Sequence, residues 1–315
     1  MKRKAIIISL KSYKISKNEI KLLANGKPWG IILFRRNIKS FNQIKILVKT
    51  IKKITKDKKF PIMIDEEGGR VSRLKKFINN KQFSQKYFGD LYEQSSFVGS
   101  SIYKTYINSL SKILFNIGIN INTVPILDLS QKKTHKIIGN RAYSNKIKSI
   151  RNLSKICIDT FKKNKISTVI KHIPGHGSAT VDSHMKMPIV NKSHKFLHLN
   201  DFECFKSSSS HFAMTAHVLF KKIDDKNVAT FSKKIISSII RKKLKFKGIL
   251  ISDDISMKAL KFNLVTNAKK SLDAGCNLIL YCGGKYSESA KLLKELPYID
   301  RFTQKKTSEF YNFLS

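Results

Sequence analysis

Eight short apolar runs, rich in β-branched residues, recur along this chain and alternate with longer stretches of helical period. The runs occupy residues 5–10, 30–34, 61–65, 121–127, 166–170, 212–218, 248–252 and 277–282. They are too short for helices and read as buried strands. Between them, residues 41–54 place Phe41, Ile44, Leu47, Val48, Ile51 and Ile54 on one face with lysines opposite, and Ser40 stands where an N-cap belongs. Residues 232–246 repeat the pattern with Ser232 as cap and Ile235, Ile236, Ile239, Ile240 and Leu244 as the apolar stripe. Residues 93–117, 147–163, 264–274 and 286–295 behave alike. Strand-then-helix units, eight times over, predict a single (β/α)8 barrel spanning residues 1–315, with a polar tail after about residue 297 that wraps the barrel or frays. A doubly wound open sheet is the alternative, but the Gly-rich phosphate turn usual after its first strand is missing.

Barrel enzymes place their chemistry at the carboxyl ends of the strands. Here Asp65, Glu66 and Glu67 follow the third run and Asp128 the fourth; Lys171 and His172 end the fifth, His217 the sixth, and Asp253 with Asp254 the seventh. The chain has only 21 acidic residues, so six at strand ends exceed what a solvated surface supplies by chance.

The densest stretch is KHIPGHGSATVDSH at 171–184, which threads three histidines through a Pro-Gly-His-Gly turn. His172 and His176 have the i, i+4 spacing of helical zinc motifs, but Pro174 and Gly175 break the helix that such a site needs, and no nearby cysteine completes it. A purely structural turn is the other plain reading. Asp182 lies two residues before His184, and a carboxylate beside an imidazole orients the ring and raises its pKa for proton transfer.

The KHIPGHG…DSH signature resembles that of the bacterial β-N-acetylhexosaminidases of glycoside hydrolase family 3. GIILFRRNI at 30–38, PIMIDEEGGRVSRL at 61–74, MTAHV at 214–218 and ISDDISMKA at 251–259 agree in order, and VPILDL at 124–129 and IIGNRAYS at 137–144 fit as well. The resemblance implies a retaining exo-β-N-acetylglucosaminidase without a cofactor. Its nucleophile would be Asp253, with Asp254 supporting the turn, and its acid-base pair His184 and Asp182. Asp65, Arg73, Arg141, Lys171 and His172 would hold the hydroxyls and the 2-acetamido group of the sugar. The implied substrate is a terminal β-linked N-acetylglucosamine on an anhydro-muropeptide of peptidoglycan recycling. Each residue also has a structural reading: the Asp253–Asp254 pair as a helix N-cap, the two arginines as surface charge, Gly68 and Gly69 as a tight turn, and His176 as a shaper of its loop. The second position of DEEGG is more often Gln or His in the family.

The net charge of +41 would suit a nucleic-acid binder. The lysines are spread along the whole chain and no nucleic-acid module is recognisable, so compositional drift is the expected cause, and no specific nucleic-acid partner is expected. The rival classes are a broader exo-β-glycosidase of the same family and a non-catalytic basic barrel that binds nucleic acid. Cys157, Cys204, Cys276 and Cys282 form no C-x-x-C pair and read as core thiols of a reducing compartment. The basic, then apolar start MKRKAIIISLK has too short an apolar run for a signal peptide, and no run reaches transmembrane length. A cytoplasmic monomer acting on a small carbohydrate, away from membranes, is the expectation.

Overall fold

A computed structural model describes residues 2–131, 138–179, 181 and 186–315. Its centre is a closed barrel of eight parallel strands: β1 (Lys4–Ser9), β2 (Pro28–Leu33), β3 (Ile62–Ile64), β4 (Ile121–Asn122), β5 (Ser167–Ile173), β6 (Phe212–Thr215), β7 (Ile249–Asp254) and β8 (Leu278–Tyr281), each paired with its neighbours in the chain and β8 closing on β1. The barrel architecture expected from the alternating pattern is therefore observed. Side chains alternate across each strand. Ala5, Ile7, Ile32, Met63, Val169, Ile249 and Ile251 point inward and fill the barrel, while Ile6, Ile8, Ile31, Leu33, Ile64, Ile170 and Leu250 pack under the helices. Both faces of the sheet are covered, which is why the strands read as unbroken apolar runs.

Several helices match their sequence signals residue for residue. Phe41–Ile54 starts where the Ser40 hydroxyl accepts the Gln43 N–H at 3.2 Å. Ile147–Lys163, Leu264–Ala274 and Tyr286–Glu295 coincide with their expected bounds. Four expectations are corrected. The helix expected over 93–117 is two helices, Gln85–Gln94 and Ser96–Ile117, because the Ser95 hydroxyl caps the second at the Val98 N–H. The segment around Ile235–Lys243 is a π-helix, entered through the predicted Ser232 cap. Strand β4 is regular only over Ile121–Asn122, and pairing with β5 resumes as a single bridge, where the Lys171 N–H donates to the Pro125 carbonyl and the Leu127 N–H to that of Lys171. Strand β5 runs on through Lys171 and His172 to Ile173.

The segment after residue 297 neither frays nor wraps the outside. It forms the helix Arg301–Leu314, which seals the amino-terminal end of the barrel. Phe310 enters the inner cluster against Phe212 (centroids 5.2 Å apart) and Trp29 (6.3 Å), and the Trp29 indole donates to the Thr307 hydroxyl at 2.9 Å. Tyr311 donates to Asp57 at 2.7 Å, and Asp57 also pairs with Arg3, which precedes β1. The barrel is thus plugged at one end and open at the other. Phe310→Ala should cost about 3–5 kcal/mol of stability, because it empties a fully enclosed site. Denaturant unfolding checks this, and a loss below about 1 kcal/mol would mean that the helix does not close the barrel.

Candidate active site

The open end carries a cavity of about 310 Å³ lined by residues from most of the strand ends. That lies near the lower limit of ligand pockets, roughly 300–1,000 Å³. Asp65, Arg73, Arg141, Lys171, His172 and Asp253 all face it. Asp182 and His184 lie outside the described residues.

Asp65 follows β3 directly, and the chain then turns through Gly68 and Gly69, both at positive φ. A Cβ on Gly68 would stand 2.3 Å from the Phe83 carbonyl oxygen, so this turn needs glycine. Asn122 at the end of β4 clamps the Glu66 backbone, its side-chain oxygen accepting the Glu66 N–H at 3.0 Å and its amide donating to the Glu66 carbonyl at 2.9 Å. The enclosed Glu66 carboxylate in turn accepts the Arg73 N–H (2.7 Å), the Leu74 N–H (2.9 Å) and the Asn80 amide (2.8 Å). These bonds fold the loop back, so that the Arg73 guanidinium pairs with Asp65 and lies 5.2 Å from the Phe34 ring.

Strand β5 supplies the central cation. The register shifts between Lys171 and Ile173, and both Lys171 and His172 face the cavity. Lys171 Nζ is 2.7 Å from Asp65 Oδ1, 2.7 Å from Glu67 Oε1 and 3.0 Å from Thr123 Oγ1, and the threonine hydroxyl donates to Asp65 Oδ1 at 2.5 Å. Arg141, on the short turn Gly139–Arg141, grips Glu67 through Nε (2.7 Å) and Nη2 (2.8 Å). Burial alone would push the Asp65 carboxyl up, but Lys171 and Arg73 hold it well below the usual carboxylate range. Burial acts likewise on Glu67, and Arg141 and Lys171 bring it down. Burial would strip the Lys171 proton, but Asp65 and Glu67 retain it and raise its pKa. The cluster is thus fully ionised at neutral pH, and its charges are cross-paired.

A second unit lies beside the first. Asp128, fully buried after β4, bonds His172 Nδ1 at 2.7 Å and accepts the backbone N–H of His176 at 2.7 Å and of His172 at 3.3 Å. Burial works against the Asp128 charge, and His172 restores it. From β7 come the two consecutive aspartates. The Asp254 carboxylate is engaged by the Ser256 N–H (3.1 Å), the Ser256 hydroxyl (2.7 Å) and the Cys282 N–H (3.1 Å), and burial raises its pKa. Asp253 faces the cavity, with Oδ1 accepting the Asp254 N–H at 2.8 Å. His217, two residues beyond β6, which ends at Thr215 rather than at the expected 218, bonds Thr230 and the Asp254 carbonyl and so supports that turn from behind.

Sequence reading alone had assigned no role to Thr123, Glu67 or Asp128 in holding Lys171, Arg141 and His172, and it gave His176 to the loop. The signal was their position after strands; their partners are far away in sequence. Among the described residues, no group of three or more His, Cys, Asp or Glu side chains is arranged to hold a metal ion.

Comparison with known proteins agrees with this geometry. Residues 3–305 match the glycosyl hydrolase family 3 N-terminal domain. The chain is 32% identical to a β-hexosaminidase of Haemophilus influenzae over 286 residues, 88% of this chain and 79% of that one. It is 28% identical to a β-hexosaminidase of Glaesserella parasuis over 311 residues, 96% and 87% of the two chains. The crystal structure of NagZ from Neisseria gonorrhoeae in complex with N-trifluoroacetyl-D-glucosamine superposes with a TM-score of 0.88 at 25% identity, covering 100% of this chain and 90% of that one. A family 3 β-N-acetylglucosaminidase from Paenibacillus superposes with a TM-score of 0.86 at 25% identity, over 98% of this chain and 60% of that one. The strand-end carboxylates, the paired cations and these likenesses together place the chain in glycosyl hydrolase family 3, among its β-hexosaminidases.

Proposed function

We propose that this β-hexosaminidase is a retaining exo-β-N-acetylglucosaminidase with Asp253 as its nucleophile. The observation that carries the reading is the shared cavity, in which Asp253 faces the ionised cluster of Asp65, Arg73, Arg141 and Lys171 and the Asp128–His172 pair. Fixed charges of both signs suit the hydroxyls of one sugar ring, each of which donates and accepts. Asp253 attacks the anomeric carbon and forms a glycosyl ester while the bond to the leaving oxygen breaks. The His184 imidazolium gives that oxygen its proton, and the neutral ring then takes a proton from the water that cleaves the ester. Asp182 orients His184 and favours its charged form.

The N-acetyl sugar is supported by the gonococcal relative solved with N-trifluoroacetyl-D-glucosamine. The anhydro-muropeptide aglycone rests on the family resemblance, and the cytoplasmic location on the four cysteines read as thiols of a reducing compartment. The +41 charge is read as composition, and any polyanion binding should be nonspecific and fade with salt.

Asp253→Ala should lose several orders of magnitude in kcat while remaining folded. A 5-fluoro glycosyl inactivator should ester-link to Asp253 in the wild type, as peptide mass mapping would reveal. Labelling of Asp254 would reverse the assignment.

Glu66 generates a separate expectation. Glu66→Ala strands two backbone N–H groups and an amide, each costing about 1–3 kcal/mol when left unpaired, and frees the loop that presents Arg73. KM for an aryl N-acetyl-β-glucosaminide should rise at least tenfold, with kcat less affected. Glu66→Gln keeps an acceptor for the backbone groups and should stay within a fewfold of wild type. Equal behaviour of the two variants would remove Glu66 from the account of substrate binding.

A further inference from the structure

Thr215, His217 and Thr230 lie beside the carboxyl end of β7 and have no exposed surface. Burying an imidazole is costly unless both of its nitrogens find partners, and here both do. Nδ1 is 2.7 Å from the Thr230 hydroxyl and Nε2 is 3.1 Å from the Asp254 carbonyl oxygen. The Thr215 hydroxyl stands 2.8 Å from that of Thr230.

The chemistry of the partners places the protons. A carbonyl oxygen can only accept, so Nε2 carries a proton. Burial lowers the His217 pKa, against the pull of Asp253, and at neutral pH the ring holds no second proton. Nδ1 is then an acceptor, and Thr230 donates to it at 2.7 Å rather than to the Ala216 carbonyl at 3.2 Å. Thr215 donates to the Thr230 oxygen in turn. This directed chain of hydrogen bonds, from Thr215 through Thr230 and His217 to Asp254, leaves the ring one tautomer.

The final acceptor of that chain is what connects it to the reaction. The Asp254 carbonyl also takes the Met257 N–H at 3.1 Å, which closes the turn after β7. The N–H of the same residue is the donor to Asp253 Oδ1 at 2.8 Å. One end of Asp254 thus orients the Asp253 carboxylate, and His217 holds the other end. The absence of charge on the ring matters as well. An imidazolium here would stabilise the Asp253 charge before the reaction and slow its attack, because ground-state stabilisation does not accelerate the chemical step. A neutral ring holds the turn without that cost.

We propose that His217 is a positioning residue for the nucleophile: an imidazole whose Nε2 proton is fixed by the Thr215–Thr230 hydroxyl chain anchors the Asp254 carbonyl and so aims the Asp253 carboxylate. The proposal rests on the reading of Asp253 as nucleophile.

The test compares two variants that each keep one bond of the ring. In His217→Asn the side-chain oxygen takes the place of Nδ1 and can accept from Thr230, but the donor to Asp254 is lost. In His217→Gln the amide nitrogen takes the place of Nε2 and can donate to the Asp254 carbonyl, but the Thr230 contact is lost. The probe is a 5-fluoro-N-acetylglucosaminyl fluoride, whose activated leaving group departs with little protonation, so that its rate of attachment reads nucleophilic attack. Attachment is followed by intact mass. Asn should lower the limiting rate about 10–100-fold with the inactivator's binding constant nearly unchanged, as expected for a misaimed nucleophile. Gln should stay close to wild type in both quantities. A role confined to packing would affect the two variants alike. Equal rates in the two, a greater loss in Gln, or a loss confined to the binding constant would overturn the proposal. In the wild-type protein, nitrogen-15 NMR of labelled histidine should show His217 protonated at Nε2 and bare at Nδ1, and the opposite tautomer would also overturn it. These outcomes leave the proposed function standing. Failure of the inactivator to label Asp253 in the wild type would overturn the proposed function, and this inference with it.

Discussion

A lysine that is 3% exposed at the mouth of an apolar barrel is the constraint around which the rest is arranged. An uncompensated buried ammonium would be neutralised or would destabilise the fold by several kcal/mol. Lys171 escapes both outcomes because β3, β4 and β5 lie side by side. Thr123 arrives from the adjacent β4, and Asp65 and Glu67 from β3, one strand further round, each within 3.0 Å of Nζ. Excess negative charge is then taken up by Arg141 and by Arg73, whose loop is itself folded by hydrogen bonds to the buried Glu66. Strand order and site chemistry are therefore the same fact seen at two scales. The network is also rigid in the sense that catalysis requires, since its dipoles and charges are oriented before any sugar arrives.

Much of this was legible in the residues. The Phe41–Ile54 helix could be read from six apolar positions on one face and a serine cap, because helical period and capping are local properties. The eight strands were legible because both of their faces are buried. What failed was decided at a distance. Nothing near residue 297 announces that Phe310 will meet Trp29 and Phe212 inside the barrel, with more than 90 residues between each pair. The π-helical hydrogen bonding of Ile235–Lys243 leaves the apolar stripe almost as an α-helix would have it, so the pattern cannot tell the two apart.

The site divides in the same way. Asp65, Arg73, Arg141, Lys171, His172 and Asp253 were recognisable through family motifs, and the fold gathers all six round one cavity. The groups that hold them were not assigned. Asp128 serves His172 across 44 residues, and Thr123 serves Lys171 across 48. His176 looked like part of a turn because Pro174 and Gly175 explain the local backbone; Asp128, which accepts its N–H, lies 48 residues away. The same separation applies to Asp253 and Asp254. Adjacent in sequence, both line the cavity, but the Asp254 carboxylate is tied to Ser256 and Cys282 while Asp253 Oδ1 accepts the Asp254 N–H.

The central claim is that one carboxylate attacks the sugar from this cavity and is displaced in a second step. Two displacements at one carbon restore its configuration. Proton NMR of the sugar released from an aryl N-acetyl-β-glucosaminide, recorded within the first minutes and before mutarotation, reads this directly. The account predicts β-N-acetylglucosamine as the first anomer to appear. Release of the α-anomer first would mean a single direct displacement by water, and Asp253 could not then be a covalent nucleophile.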